Sequence, residues 1–400
     1  MIEINILVLN CGSSSAKFQL IQAETEDNLA RGIVERIGTT DAIVRYQPKG
    51  RNEYREVTEI SNHAVAIQKI IDMLTHPRHG MIKNLDEIMA IGHRVVHGAE
   101  KFANSVVITD EVIQQIEDCI KFAPLHNPHN LKGIKECARI IPGKPQVGVF
   151  DTAFHQQMPP SSYIYALPYS LYKKMGIRRY GFHGTSHYYV SRKAAEILKR
   201  PVEELKMITC HLGNGASITA VKGGISVDTS MGFTPLEGLV MGTRCGDIDP
   251  AIITYLMERE GLKPAEMDKL MNSQSGLKGI SERSNDMREI IEGAERGEYQ
   301  FKLALDVFSL RIKKYIGAYA AEMGGLDAVI FTGGIGENAV KVRELVCEGL
   351  EFLGIVIDKE KNNQKSLTIS TGRTAVLCIP TNEELVIAQE TKKLVEEKRT

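Results

Sequence analysis

The sequence predicts an α/β protein of two related halves, and three observations predict it. The chain has 400 residues, more than one hydrophobic core usually serves. A short apolar, β-branched run at Ile4–Leu9 stops at a polar turn, Asn10-Cys11-Gly12-Ser13-Ser14-Ser15, and apolar alternation resumes at Ala16, Phe18 and Leu20. That strand–turn–strand grammar returns about half a chain later. There Met207–Cys210 runs into His211-Leu212-Gly213-Asn214-Gly215-Ala216-Ser217, and alternation resumes at Ile218. Matching Gly12 to Gly213 also matches Asn10 to His211 and Ser13 to Asn214, a spacing that points to a duplicated domain rather than a solenoid.

The remaining elements follow in order. Ile88–Ile91 and Val147–Phe150 are apolar strand candidates. Asn127-Pro128 opens a helix running toward Ile141, with Asn as N-cap and Pro at the first helical position. Thr185 or Ser186 caps a helix reaching Leu198, and Asp249-Pro250 opens another toward Arg259. Leu303–Met323 is helical, but Asp306, Arg311, Lys313 and Lys314 make it a packed helix rather than a membrane span. The strand candidate Leu326–Phe331 ends in a glycine-rich turn, Thr332-Gly333-Gly334-Ile335-Gly336-Glu337-Asn338, with a helix from about Ala339. Asn362–Arg373 is the least structured segment. A strand at Ala375–Ile379 precedes an amphipathic last helix from about Glu383 to Lys398.

Composition narrows the class. A hydrophobic content of 43% supplies two cores, and a net charge of −1 argues against nucleic-acid or membrane-surface partners. Seven cysteines without a C-x-x-C pair point to a reducing, cytoplasmic setting rather than a disulfide framework or zinc knuckle. Cys11 and Cys210 read as small buried residues. Met1-Ile2-Glu3-Ile4-Asn5 lacks the basic and apolar segments of a signal peptide.

Several motifs suit anions. In Asn10-x-Gly-Ser-Ser-Ser-x-Lys17, hydroxyls of Ser13 and Ser15, turn N–H groups and the Lys17 ammonium suit phosphate oxygens, and Asn10 suits a metal or its water; the bland alternative is a solvated serine turn. It is not a Walker loop, which leads into a helix. His211-x-Gly-Asn-Gly is a second phosphate turn or a plain hairpin, and the 332–338 turn is a third candidate. Arg94, in His-Arg-Val-Val-His-Gly, and Arg244, in a glycine-flanked loop, present planar forks that match carboxylate or phosphate, or else form structural ion pairs. His183 and His187 have a metal-pair spacing but lack a third ligand nearby, so His183 is better read as a donor to a transferring phosphoryl group. Asp151 ends a strand, a place suited to metal or catalytic work, and Asp247 with Asp249 is a further acidic pair. Glu383 or Glu384 is placed to complete a magnesium site.

Together, N-x-G-S-S-S-x-K, H-R-V-V-H-G, L-H-N-P, F-D-T-A-F-H, R-R-Y-G-F-H-G-T-S-H, H-L-G-N-G, M-G-T-R-x-G-D-x-D-P, G-G-I-G-E-N and P-T-N-E-E resemble the acetate kinase family, in its order from residue 10 to 384. The resemblance implies two duplicated actin-like (ribonuclease H-like) ATPase domains around a nucleotide cleft: 1–152 joined by a C-terminal helix 385–400, and 153–384. It implies a homodimer and reversible transfer from ATP to acetate, giving ADP and acetyl phosphate, with Mg²⁺ or in its place Mn²⁺. By position, Asn10 and Glu383 match metal ligands, Lys17 an ATP-phosphate contact and Arg94 the carboxylate binder. Val96, Leu125, Phe182 and Pro235 match the methyl pocket. Asp151 matches an essential aspartate, and His183 and Arg244 match transition-state stabilisers. His211, Leu212, Gly213, Asn214 and Gly215 match a phosphate loop. Asp286, Met287, Arg288, Gly334, Ile335, Gly336, Glu337 and Asn338 match adenosine-side contacts. The more charged loop Ile280–Asn285 and the short segment Lys365–Gly372 depart from the family pattern.

A substrate carboxylate, with pKa near 4, is already a nucleophile at neutral pH. Asp151 is therefore expected to position magnesium and substrate rather than to take a proton. The obstacle is anion meeting anion, which calls for cations and donors around the phosphoryl group and direct in-line transfer. A propionate or other short-chain carboxylate kinase is the nearest alternative. A sugar kinase would need a base and a polar pocket, and an Hsp70-like module would need a peptide-binding domain for which the chain has no spare residues.

Overall fold

The protein is described here by a computed structural model covering residues 4–398. Met1–Glu3 of the expected leaderless start and positions 399–400 of the expected final helix lie outside the described residues. The chain forms two compact units. One holds the described residues up to Ala153 together with those from Asn382 onward; the other is Phe154–Thr381.

In the first unit, strands β1 (Asn5–Cys11), β2 (Ser15–Gln22), β3 (Asp27–Glu35), β4 (Thr39–Pro48), β5 (Tyr54–Ile60), β6 (Ile88–Val95), β7 (Val106–Val107) and β8 (Gln146–Phe150) form one sheet in the order β5-β4-β3-β2-β1-β6-β8-β7. In the second unit, β9 (Lys206–Leu212), β10 (Ala216–Lys222), β11 (Ile225–Thr229), β12 (Ala328–Thr332) and β13 (Ala375–Cys378) form a sheet in the order β11-β10-β9-β12-β13. The duplication is visible in the pairing. β1 is antiparallel to β2 and parallel to β6, which is parallel to β8. In the same way β9 is antiparallel to β10 and parallel to β12, which is parallel to β13.

Each sheet is sandwiched because its central strands are apolar on both faces. In the first unit the helices His63–Leu74 and Asn127–Ile140 bury one face, where Leu7, Leu9, Phe18, Val34, Val44 and Ile67 share a core. The helix Glu383–Glu397 covers β1, β6 and β8 on the other face. In the second unit the helix Gly184–Leu198 lies on β9 and β12, with Val190 and Ala194 against Met207, Ile330 and Leu377. The long helix Tyr299–Met323 packs on β9 and β10. One covering helix of each unit follows strands of the other: 383–397 comes after β13 yet belongs to the first unit, and 184–198 comes after β8 yet belongs to the second.

Four local expectations are corrected. His126, not Asn127, is the N-cap of the 127–140 helix; Asn127 lies in the first turn and turns its amide to the backbone of His97. His183, in the left-handed region at φ 56°, caps the 184–198 helix in place of Thr185 or Ser186. The glycine-rich 332–338 segment is helical over Gly333–Asn338. Within the segment expected to be least ordered, Asn362 is buried and its side-chain oxygen accepts from the buried Arg343 at 2.7 Å.

Gly92 of β6 lets the 383–397 helix approach. An added Cβ would stand 2.6 Å from both Ile387 Cγ2 and Thr391 Oγ1. Gly92→Ala is expected to lower stability by about 1–3 kcal/mol through overpacking, read as a lower urea midpoint; an unchanged midpoint would contradict this close seat.

Candidate active site

In the first unit, strand alternation gathers the polar groups. Val8 registers with Gly92 and Gly92 with Val147, so these residues share the face under the 383–397 helix. Two residues further along each strand, that face carries Asn10 and Arg94, and beyond Val149 it carries Asp151. Lys17 is the cross-strand partner of Asn10 and joins the same face. Asn10, Arg94 and Asp151 lie at or just past the C-terminal ends of parallel strands, where open α/β sheets bind ligands, and Lys17 lies at the start of antiparallel β2. Glu383 and Glu384 open the helix above them, and Asn382 caps it by accepting from Leu385 N–H.

Arg94 grips Asp151 with both arms, Nε to Oδ1 at 2.9 Å and Nη2 to Oδ2 at 2.6 Å. Asp151 is buried, while the Arg94 side chain keeps 24% of its surface. Burial pushes the Asp151 carboxyl above the ordinary carboxylate range, opposed by the Arg94 charge. Burial also works against the Arg94 charge, but Asp151, Glu383 and Glu384 together hold the guanidinium protonated. Burial and the neighbouring Glu383 likewise push Glu384 up.

Three further residues brace this edge. Asn130 accepts from Val96 N–H (3.1 Å) and donates to the Cys11 carbonyl (2.9 Å). Asn127 brackets His97 from both sides, and Thr152 accepts from Gly98 N–H (3.1 Å). Val96 is buried, whereas Leu125 is 74% exposed. Ser13 is exposed at the tip of the first turn, and Ser15 begins β2.

In the second unit the histidines converge. His183 Nδ1 lies 2.9 Å from Ser217 Oγ, and His211 Nδ1 lies 2.8 Å from Ser186 Oγ, which meets Thr381 Oγ1 at 2.8 Å. The rings of His183 and His211 stack with centroids 4.3 Å apart. Gly213, Asn214 and Gly215 form the turn between β9 and β10. A Cβ at Gly215 would stand 3.4 Å from Arg244 Nη1 and 3.8 Å from His183 Nε2, so a cation, an imidazole edge and a glycine backbone border one small space. Arg244 Nη1 donates to the Pro235 carbonyl at 3.3 Å, and burial pulls its pKa down. Phe182 is buried, and its carbonyl accepts from His155 Nε2 at 3.0 Å.

The remaining predicted residues divide by what their side chains do. Asn214 accepts from Asn285 Nδ2 (2.9 Å) through Oδ1 and from Gly242 N–H (2.9 Å) through its carbonyl. Asp286 caps the helix Met287–Glu295 and chelates Arg288, whose side chain is 86% exposed. That hydrogen bond holds the Asp286 pKa below the usual range. Leu212 and Met287 are buried. Glu337 turns inward, accepting from Gly333 N–H (2.9 Å) and Thr381 N–H (3.3 Å). Arg343 donates to the Gly336 carbonyl (2.7 Å), and Asn338 donates to the Gly334 carbonyl (2.9 Å), so the backbone of Gly334, Ile335 and Gly336 is firmly held.

Asn10, Glu383 and Glu384 offer oxygen donors suited to a hard cation. Among the described residues no group of three or more His, Cys, Asp or Glu side chains is arranged to hold a metal ion. A divalent ion here would therefore share few protein ligands and depend on phosphate oxygens and water.

His93, His97, His155 and His187 are buried, and burial pushes the first three down to about 4, about 3 and about 4 and His187 well below the ordinary value. With its amide oxygen accepting from Ala138 N–H, Gln146 donates to His93 Nε2 at 2.6 Å, which keeps that ring neutral. The unfolded chain takes up a proton near pH 6.5 and the folded His93 only near 4, so stability falls as pH drops through that window. From pH 7 to 5 this one histidine accounts for about 2 kcal/mol of loss. His93→Gln is expected to shrink the pH 7-to-5 difference in urea-derived stability by about that amount; an unchanged difference would show that His93 titrates normally.

Comparison with known proteins places these features in one group. The model of the Acetokinase family matches residues 5–389. An acetate kinase of Alkaliphilus metalliredigens is 60% identical over 396 residues, covering 98% of this chain and 100% of that one. That of Halothermothrix orenii is 56% identical over 397 residues, again covering 98% and 100%. The crystal structure of Porphyromonas gingivalis acetate kinase superposes with a TM-score of 0.95 at 48% identity, and that of a propionate kinase from Francisella tularensis with 0.92 at 46%; each covers 98% of this chain and 100% of the other.

Proposed function

This chain belongs to the acetokinase family, and we propose from that premise how its two units divide the work. It is a kinase with acetate kinase activity, built as duplicated actin-like domains. In this proposal ATP and acetate exchange a phosphoryl group directly and in line, giving ADP and acetyl phosphate. The first unit receives the carboxylate and the metal-facing phosphates; the second holds the nucleotide and the developing charge.

Acetate arrives ionised, so no side chain has to take its proton. Both Asp151 oxygens are engaged by Arg94, which supports a positioning role: Asp151 fixes the guanidinium fork that receives the carboxylate. Val96, Phe182 and Pro235 are assigned to the methyl by their match to the family pattern; Leu125, being exposed, has the weakest claim. Lys17 and the Ser13–Ser15 turn take phosphate oxygens. Asn10 and Glu383 would hold Mg²⁺, or Mn²⁺ in its place, and the ion would supply charge to offset that of the phosphates. His211–Gly215 cradles phosphate, and Asp286–Arg288 with Gly334–Asn338 flank the adenosine. The convergence of Arg244 Nη1 and His183 Nε2 beside Gly215 carries the proposal, because it supplies donors where phosphoryl charge grows.

Seven free cysteines, six of them buried, support a reducing cytoplasmic setting, and no described helix is long and apolar enough to cross a membrane. A homodimer is proposed from the family pattern alone. No nucleic-acid or membrane partner is proposed. The buried Val96 beside a single arginine favours a small carboxylate over a sugar, with propionate the second reading.

Arg244→Ala and His183→Ala should each lower kcat by about 100-fold or more while leaving nucleotide affinity near wild type. Lost ADP affinity at unchanged kcat would remove them from the transition state. In a hydroxamate assay with acetate, propionate and butyrate, against ATP, GTP and pyrophosphate, acetate with ATP should be best. Val96→Ala should then favour propionate by about 10-fold relative to wild type. Wild-type preference for propionate would establish the second reading. Asp151→Asn and Asp151→Glu should both raise the acetate KM at any magnesium concentration, whereas an altered acidic limb of the pH profile alone would make Asp151 a base.

A further inference from the structure

Behind His183 runs a chain of buried polar groups that the reaction as described does not use. His183 Nδ1 lies 2.9 Å from Ser217 Oγ, and the same oxygen lies 2.7 Å from His187 Nε2. His187 Nδ1 lies 2.7 Å from Thr209 Oγ1. Ser217, His187 and Thr209 are each fully buried, between β9, β10 and the start of the 184–198 helix.

We propose that Ser217, His187 and Thr209 are positioning residues that set which ring nitrogen of His183 carries the proton. The inference rests on His183 being the phosphoryl donor. Ser217 has one hydroxyl hydrogen and faces two imidazole nitrogens. It donates to one of them, and the other nitrogen must donate to it. With His187 and His183 both neutral, two arrangements satisfy both rings and Ser217, and only the first gives the Thr209 hydroxyl hydrogen a described acceptor. In the first, the Thr209 hydroxyl donates to His187 Nδ1, His187 Nε2–H donates to Ser217, and Ser217 donates to His183 Nδ1. The proton of His183 then sits on Nε2, the edge beside Gly215 and Arg244. In the second, every bond reverses and Nε2 presents a lone pair to that space. No net charge moves between them.

The surroundings favour neutral rings. Burial pushes His187 well below the ordinary histidine value, with His155 and His211 adding to the effect. His211 stacks on His183 at 4.3 Å, and the Arg244 guanidinium is near. A neutral His183 shares that space with Arg244 without like-charge repulsion. A neutral ring must therefore hold its proton on the correct nitrogen to act as a donor, and an incorrect tautomer disables a catalytic imidazole even when its position is intact. Beside the Arg244 N–H groups, a lone pair on Nε2 is favoured; beside a phosphoryl oxygen, the N–H is favoured. The arriving anion selects the donor arrangement, and the buried relay makes the exchange possible without solvent.

The test combines kinetics with ¹⁵N spectra of histidine-labelled full-length protein, the His183 signals being those lost in His183→Ala. Ser217→Ala should lower kcat by about 10- to 100-fold, with KM for acetate and ATP changed less than about threefold, and Ser217→Thr should recover most of it. Thr209→Val, which keeps the shape and removes the hydroxyl, should fall in the same direction. With ADP, Mg²⁺ and inorganic phosphate bound, His183 should be protonated mainly on Nε2 in wild type and lose that preference in Ser217→Ala. The double variant His183→Ala/Ser217→Ala should be no slower than His183→Ala alone. A kcat for Ser217→Ala within threefold of wild type, an unchanged tautomer, or multiplicative losses in the double variant would each overturn the relay. If His183→Ala itself keeps its kcat, the donor role of His183 falls first.

Discussion

The two-residue alternation of parallel strands is the constraint on which this molecule depends. Once Gly92 must face the 383–397 helix, the side chains two steps further along face it too, and the parallel register puts them side by side. Arg94 and Asn10 cannot point elsewhere without turning apolar neighbours out of the core. The second unit obeys the same rule. Met207 packs under the 184–198 helix, and Thr209 and His211, at two-residue steps, meet that helix through His187 and Ser186. Duplication of a fold thus duplicated a place for polar chemistry.

The two places differ in how they bear charge. The first carries formal charges and compensates them in pairs, Arg94 with Asp151 under the field of Glu383 and Glu384. The second buries imidazoles kept neutral by desolvation and joined through hydroxyls, with Arg244 near them. Ion pairs fix geometry but resist rearrangement, because separating them in a low-dielectric interior is costly. Hydroxyl–imidazole chains reorganise by moving protons a short distance.

Much of this was legible in the sequence. Both hairpin turns were marked by Gly, Ser and Asn between β-branched runs, and their half-chain repeat announced the duplication. What was not legible needed tertiary partners. Asn127 has the chemistry of a helix cap, yet the backbone of His97 claims its amide. Gly333–Asn338 is poor in helix propensity, but Glu337 and the buried Arg343 pin it from either side. Ser217 and Thr209 look like ordinary strand residues until the register sets them beneath His187. Leu125, matched to a pocket only through the family resemblance, is exposed.

The late position of the first unit's 383–397 helix reaches beyond the finished structure. Synthesis releases the chain from its N-terminus, so the strands of the first unit emerge long before the 383–397 helix that closes one of their faces. The second unit is continuous from Phe154 to Thr381 and holds all its own layers once that stretch is out. The half that begins first is therefore completed last. Until then β1, β6 and β8 stand with a bare apolar side around Gly92, the kind of surface that chaperones recognise on a growing chain.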